Sequence, residues 1–466
     1  MINFARIRSQ ASKEECFIIS RQRTVTVTKI LILHGVNYYN AGDHGIVLSM
    51  FHAIRDSIPG AQIKVASPFL ANTRTDQEFI RRTRDGFEDS YPEEIPDLYQ
   101  VPVGEKRKVR VLFYATKILF YMIALTLLPY ALRKPLARTM AFGSAVLDAD
   151  LVLSKGGGFL LDRGTTYKVP THLVTIWISI LLRKKTAIYA QSIGPFENAF
   201  GRMLAKFVLR RVTYLLPRDV YSETYATDAL GVDRSKIQLT ADSAFELTTV
   251  VEQAGAAKHT ETDQDTGPSR QVCITLVAPR YSGLPSKEME NRYCIVVANL
   301  TEYAVRQGYR VVFIPHLESG AHSDRILAQR IYDRCSTETQ AVTEILAPTN
   351  PINIIAVMQK CDLAVCSRMH SMIFAIDAKI PFVALSYLPK SESMLTEAGL
   401  DDWKLSLPDL ASDAVDISTE TLIAKFETIA SDLKANRDKV CAANAFFLTR
   451  ARKNIEVAAE ILSCEV

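Results

Sequence analysis

At 466 residues the chain exceeds what one ordinary core fills, so two domains are expected. An apolar fraction of 48% and a charged fraction of 23% exclude intrinsic disorder. A net charge of +4, with no basic stripe of the kind nucleic acid requires, points away from a nucleic-acid partner and toward small anions held by two or three cations.

Residues 1–28 lack the basic start, apolar core and cleavage site of a signal peptide, and read as a flexible polar extension. The first domain, 29–250, opens with Lys29-Ile-Leu-Ile-Leu-His-Gly35, a buried-strand run ending in a turn. Residues 46–58 read as a helix with Val47, Met50, Phe51 and Ile54 on one face, and 62–66 as the next strand. Residues 73–105 are polar and charged, expected as surface loop and helix. The segment 111–132 is almost wholly apolar, interrupted by Lys117 and Pro129. It is flanked by Lys106, Arg107, Lys108 and Arg110 and by Arg133, Lys134 and Arg138. Three readings fit it. It is a helix buried in the core or against a partner subunit, a helix lying among the headgroups of the inner leaflet, or a span of the bilayer. A span would put the strands on its two sides across a membrane from each other, and one sheet could not then form.

Strands are next expected at 150–153, 186–191, 212–217 and 237–240, and helices at 171–182, 199–209 and 222–230, the last stopped by Gly231. Residues 251–270, rich in Ala, Gly, Thr, Asp and Gln, read as a linker. In the second domain, 271–408, strands are expected at 272–277, 310–314, 343–346, 363–366 and 382–386. The helices between them are 291–307, 323–334, 351–360 and 371–378. Residues 409–466 form a helical tail long enough to cross back onto the first domain. The alternation predicts an α/β protein of two Rossmann-like, doubly wound domains facing across a cleft, with ligands at the carboxyl ends of the strands.

The strand-to-helix loops carry the chemistry. In Gly35-Val-Asn-Tyr-Tyr-Asn-Ala-Gly-Asp43, glycines let amides approach a ligand, and Asp43 either caps the helix or touches substrate. Asn37 and Asn40 either bind sugar hydroxyls or support turns. Lys155-Gly-Gly-Gly-Phe159 permits close backbone approach at Gly156, Gly157 and Gly158, but lacks nucleotide-loop spacing. Asp148 and Asp150 precede their strand, so a metal is not expected there. Gln191-Ser192-Ile-Gly-Pro195 and Pro217-Arg218-Asp219 end the next two strands, and Arg218 is placed to grip a carboxylate or phosphate or to make a structural salt bridge. Asp242 is expected as a hinge or cap. The sharpest motif is Cys366-Ser367-Arg368-Met369-His370, a strand end with a cation and a proton carrier before a helix. Tyr387 and Lys390 follow the next strand, with Lys390 either adding charge or solvated.

The eight cysteines include no Cys-x-x-Cys pair, which argues against a zinc ribbon or thioredoxin-type site and fits a reducing, cytosolic compartment.

Taken in order, Asn40-Ala-Gly-Asp43, Gly156-Gly-Gly158 with Asp162, Gln191-Ser-Ile-Gly-Pro195, Arg218-Asp219 with Ser222, Asp242, Arg368-Met-His370 and Tyr387 with Lys390 resemble the polysaccharide pyruvyl transferase family. The resemblance spans roughly residues 29–400, with Met369 in place of the family's leucine. It implies a glycosyltransferase-B-like fold and transfer of the pyruvyl unit of phosphoenolpyruvate to two hydroxyls of a glycan, forming a cyclic ketal and releasing phosphate. It further implies that Arg218 and Arg368 hold the donor and that His370 moves a proton. No metal or cofactor is called for, because fixed cations can balance the charge. Substrate contacts are expected from Asn40, Asp43, Gly156, Gly157, Gly158, Gln191, Ser192, Ser367, Met369, Tyr387 and Lys390. A lipid-linked acceptor at the inner face of the cytoplasmic membrane would account for the 111–132 segment. Two rivals stand beside this reading: a nucleotide-sugar glycosyltransferase, with Glu318 recruited for the ribose, and a non-catalytic member of a polysaccharide assembly complex.

Overall fold

The computed structural model describes residues 27–67, 74–84, 91–98, 107–162, 168–255, 270–277, 287–319 and 323–464. Nearly all of the expected extension, and residues 256–269 of the expected linker, lie outside the described residues. Residues 251–255 complete the helix Leu247–Gly255.

Runs of Val, Ile and Leu make strands buried on both faces, which is what a parallel sheet needs. The first sheet comprises β1 (Lys29–Leu33), β2 (Gln62–Ser67), β3 (Glu93–Pro96), β4 (Leu151–Ser154), β5 (Gly157–Asp162), β6 (Lys185–Phe196) and β7 (Tyr214–Pro217). Its order is β3-β2-β1-β4-β6, with β5 and β7 also paired to β6, all parallel. The second comprises β8 (Gln271–Ile274), β9 (Arg310–Phe313), β10 (Thr343–Ile345), β11 (Leu363–Cys366), β12 (Phe382–Ser386) and β13 (Lys404–Ser406), in the order β10-β9-β8-β11-β12-β13. In both, the order reverses beside the first strand, between β1 and β4 and between β8 and β11. These are the switch points where open α/β sheets bind ligands. Burial is deep: Ile30, Leu31, Ile32 and Leu33 are each at most 1% exposed, worth about 2 kcal/mol apiece in gross transfer energy.

Several elements differ from the sequence expectation. Residues 237–240 run along β7 without forming a strand: Ile237 bridges to Leu215, and the amides of Gln238 and Thr240 donate to the carbonyls of Leu215 and Pro217. The helix expected at 222–230 is a short α-helix, Val220–Thr224, continued by a π-helical turn, Tyr225–Ala229. The edge strands β3 and β13 were not anticipated, being short and polar. The two glycine-bearing "loops" are strand: β5 continues the line of β4 along β6, and Gln191–Pro195 lies inside β6. The glycines therefore serve a strand extension, with a break at Lys155 and Gly156 where Gly156 passes too near the Ala190 carbonyl for any side chain.

The apolar segment is helix Arg107–Leu127, ended by Pro129 and followed by helix Tyr130–Ala137. Ile118, Tyr121 and Leu125 are buried toward the first sheet. Strands on both sides of this segment share that sheet, and no described helix is long and apolar enough to cross a membrane, which removes the spanning reading. The tail is two helices, Val415–Ala430 and Leu433–Ser463. The second crosses back to the first domain, where Lys185 donates to the Ile461 carbonyl (2.8 Å) and Arg450 and Asn454 donate to the carbonyls of Thr240 and Ala241.

Candidate active site

The carboxyl ends of the two sheets meet where helix Ala41–Ser57 of the first domain faces helix Met369–Asp377 of the second. Asn40 caps the first helix, accepting from the amides of Gly42 (3.1 Å) and Asp43 (3.4 Å). Asp43 is therefore not the cap; its carboxylate faces Lys155 Nζ at 3.7 Å. Asn37 supports a turn, accepting from the Tyr39 amide. The same loop ties the domains together: Ala41 donates to the His316 carbonyl (2.8 Å), and Glu318 donates to that of Tyr39 (2.9 Å). The His370 ring lies directly over Gly42, where an added Cβ would sit within 2.9 Å of His370 Cβ and nearer still to the ring.

Arg218 leaves β7 almost fully buried. Its Nε donates to Ser192 Oγ (2.8 Å), its Nη1 is ion-paired with Asp242, and its Nη2 is buried with no hydrogen-bond partner among the described residues. Ser192 Oγ in turn donates to Asp219, which caps the following helix through the Ser222 amide. Asp242 accepts from the Ala244 amide and stands 3.6 Å from His370 Nε2. Burial works against its charge, but the Arg218 guanidinium first and then the nearby His370 ring outweigh it and hold the carboxyl well below the usual range. The Cβ direction of Gly158 points at Lys390 Nζ (3.7 Å) and Arg218 Nη2 (3.9 Å), so two cations from different domains converge on one glycine. Met369 and Asp219 line the same small cavity. Gln191 is fully buried, and neither end of its amide has a hydrogen-bond partner among the described residues. Tyr387 follows β12, half-buried.

Arg368 and Ser367 lie elsewhere than the motif suggested. Arg368 forms two bonds to Asp324 (2.8 and 2.6 Å) and one to the Leu276 carbonyl. Asp324 is fully buried and also accepts from the amides of His316 and Leu317. Arg368, expected as a donor clamp, has its charge matched by Asp324 as that of Arg218 is by Asp242, and it ties the loop after β9 to the helix carrying His370. Ser367 is bonded to Thr275 and Tyr293. Glu318 is gripped by Arg325 at 2.9 and 2.7 Å, so the acid a nucleotide-sugar reading would recruit is already occupied. Asp150 accepts the Lys29 amide and Asp148 faces Arg138, at the opposite end of the strands from the site. The Asp162 side chain lies outside the described residues.

Sequence reasoning missed a group at the first switch point. Lys155 is fully buried, donates to the Gly35 carbonyl (2.9 Å) and lies 4.6 Å from the Phe159 ring centre; burial pushes its pKa down. Phe159 stacks on His172, which lies beside His34. His34 joins Ser154 to Thr175 with φ of +76°, a left-handed conformation uncommon outside glycine. His316 is buried with neither ring nitrogen bonded; burial first, then the charges of Arg368 and His370, pushes it down to about 3. Only His34, at the end of a strand run, carried a local signal.

The fold is of the two-Rossmann-domain type, with side chains of both domains meeting at the carboxyl ends of the strands. The chain belongs to the polysaccharide pyruvyl transferase family, whose profile matches residues 40–389. A relative, the amylovoran biosynthesis protein AmsJ of Erwinia amylovora, is 24% identical over 301 residues, covering 63% of this chain and 68% of that protein. Among solved structures the chain resembles the UDP-GlcNAc 2-epimerase of Neisseria meningitidis bound to UDP-GlcNAc (TM-score 0.54, 12% identity, 93% of this chain and 99% of that one). It also resembles a glycosyltransferase from Rickettsia africae (TM-score 0.50, 11% identity, 94% and 100%). These likenesses are of fold alone.

Proposed function

We propose that the protein transfers the pyruvyl unit of phosphoenolpyruvate to two hydroxyls of a glycan, forming a cyclic ketal in the assembly of an exopolysaccharide. The observation that carries this reading is the convergence of Arg218 Nη2 and Lys390 Nζ on Gly158, with His370 Nε2 3.6 Å from Asp242, the partner of Arg218. Phosphoenolpyruvate carries a phosphate and a carboxylate on adjacent positions, and two fixed cations from opposite domains suit such an anion. Lys390 joins Arg218 and Arg368 in the proposed donor grip, and Arg368 also anchors the helix that carries His370.

In the proposed reaction a proton is added to the methylene carbon, which becomes the ketal's methyl group. A sugar hydroxyl attacks the oxocarbenium-like carbon and gives up its proton. The C–O bond to phosphate then breaks, and the second hydroxyl closes the ring, its proton leaving with the phosphate. His370 carries the proton, with Asp242 orienting its ring as the carboxylate of a general acid–base pair. The half-buried Phe159 ring, held against His172, offers an apolar face for the acceptor sugar. No cofactor enters this scheme.

The test is phosphate release from phosphoenolpyruvate across a panel of cell-surface glycans, with Arg218→Met beside the native chain. Release that depends on acceptor, and that falls by about 10²-fold or more in the variant, is the expected result. Thermal stabilisation by UDP- or GDP-sugars but not by phosphoenolpyruvate would overturn the proposal in favour of glycosyl transfer.

A further inference from the structure

Helix Arg107–Leu127 buries one face and leaves the other bare. Leu119, Phe120, Ile123 and Leu127 are 58%, 67%, 44% and 78% exposed. A second helix repeats the pattern: on Ala199–Leu209, Phe200, Met203 and Phe207 are 58%, 61% and 42% exposed. Their spacing of three and four residues puts all three on one stripe. Both helices flank helix Lys168–Leu181, which packs against each of them. Its Trp177 is half-buried, with its ring 4.8 Å from that of Phe207. Tyr130, just beyond the first helix, lies under the guanidinium of Arg183. The two stripes thus belong to one helical layer on the first sheet, joined through Trp177.

The charge around this layer has one sign. Between Glu105 and Asp148 stand eight Lys and Arg and no Asp or Glu; between Glu197 and Arg218 stand four more, again with no acid. The whole chain is only +4, so the remainder is net acidic. Lys117, Lys134, Arg138, Arg202, Lys206 and Arg210 are exposed on these elements. Large apolar side chains with a tryptophan between them and basic residues around them suit an anionic bilayer surface, where the apolar tips enter the acyl boundary and the cations meet headgroup phosphates. A protein partner of acidic surface would match the charge but not the protruding Leu127 and Phe120.

We infer that the outer helical layer of the first domain, formed by Arg107–Leu127, Lys168–Leu181 and Ala199–Leu209, is a docking surface for an anionic lipid bilayer. Docking leaves the protein on one side of the membrane, and the inference stands independently of the donor or acceptor assigned above.

The full-length protein is mixed with vesicles of phosphatidylcholine alone or with added phosphatidylglycerol, and binding is read by sedimentation and by tryptophan emission. The chain has two tryptophans, and Trp403 is buried at 5% exposure, so a blue shift reports Trp177. Binding is expected to the anionic vesicles, to weaken as salt rises, and to be slight on phosphatidylcholine. The variant Phe120→Ser/Met203→Ser, altered on two different helices, should bind about tenfold or more weakly while keeping the native thermal midpoint. Absence of binding to anionic vesicles, or native binding by the variant, would overturn the inference. So would a dimer in light scattering that the variant dissolves, since the face would then be covered by a second copy.

Discussion

Gly42→Ala alters no group with any chemistry of its own, yet it is expected to cripple the enzyme. The added Cβ would fall within 2.9 Å of His370 Cβ and closer to the ring, whereas carbon contacts settle near about 3.5–4 Å. The imidazole must therefore move by more than about 1 Å, which disturbs its 3.6 Å approach to Asp242. A displacement of that size at a proton-transfer group costs about 10²-fold in rate, or about 2.7 kcal/mol of barrier. Stability should change little, because alanine favours a helix over glycine by up to about 1 kcal/mol and offsets the crowding. Steady-state phosphate release should show the loss in kcat, with the KM for phosphoenolpyruvate nearly unchanged. Combining the change with His370→Ala makes the test specific: once the ring is gone, Gly42→Ala should cost almost nothing more. Additive losses in the double variant, or native kcat in Gly42→Ala, would show that the position of His370 does not govern the rate.

Two further outcomes follow from buried charges. Arg368→Ala should destabilise the fold by about 3–5 kcal/mol, because it strands the fully buried Asp324 carboxylate; Asp324→Leu with Arg368→Met should recover much of that, read by denaturant unfolding. An Arg368→Ala protein as stable as the native chain would refute the pairing argument. Glu246 is pushed up to about 8, first by burial and then by Glu456, with Arg452 opposing. The folded state keeps its proton while the unfolded chain loses it near 4.5, so this stabilisation is full below about pH 4.5 and is lost as pH rises through about 8. The span is worth at most about 5 kcal/mol. Glu246→Gln should flatten that decline, and unfolding at pH 5.5 and 8.5 would expose a failure if the two proteins fell in parallel.

Much of the frame was legible along the chain. The apolar runs at Ile30–Leu33 and 363–366 and the amphipathic helices announced strands and helices because their periods are local properties. Short polar edge strands β3 and β13 escaped, since an edge needs only backbone bonds and leaves little trace in composition. The strand ends bearing Arg218, Arg368 and His370 were found because parallel sheets put their ligands there. What each does was not: adjacent in sequence, Arg368 and His370 look like one cationic pair. The fold sends the first to Asp324 and the second over Gly42 against Asp242. Likewise the sequence left Lys390 open between adding charge and staying solvated, and β12 carries it to Gly158 and Arg218.

The physical division is one of range. Local sequence dictated the alternation of strand and helix, the helix caps and the glycines that permit close passage, because backbone sterics and side-chain period act over a few residues. Which charges meet, and whether a cation is spent on a buried carboxylate or left facing a cavity, depended on closing hundreds of residues into two sheets joined by the C-terminal helix. Electrostatic partners are set by distance in space and by burial, and neither exists until the chain has folded.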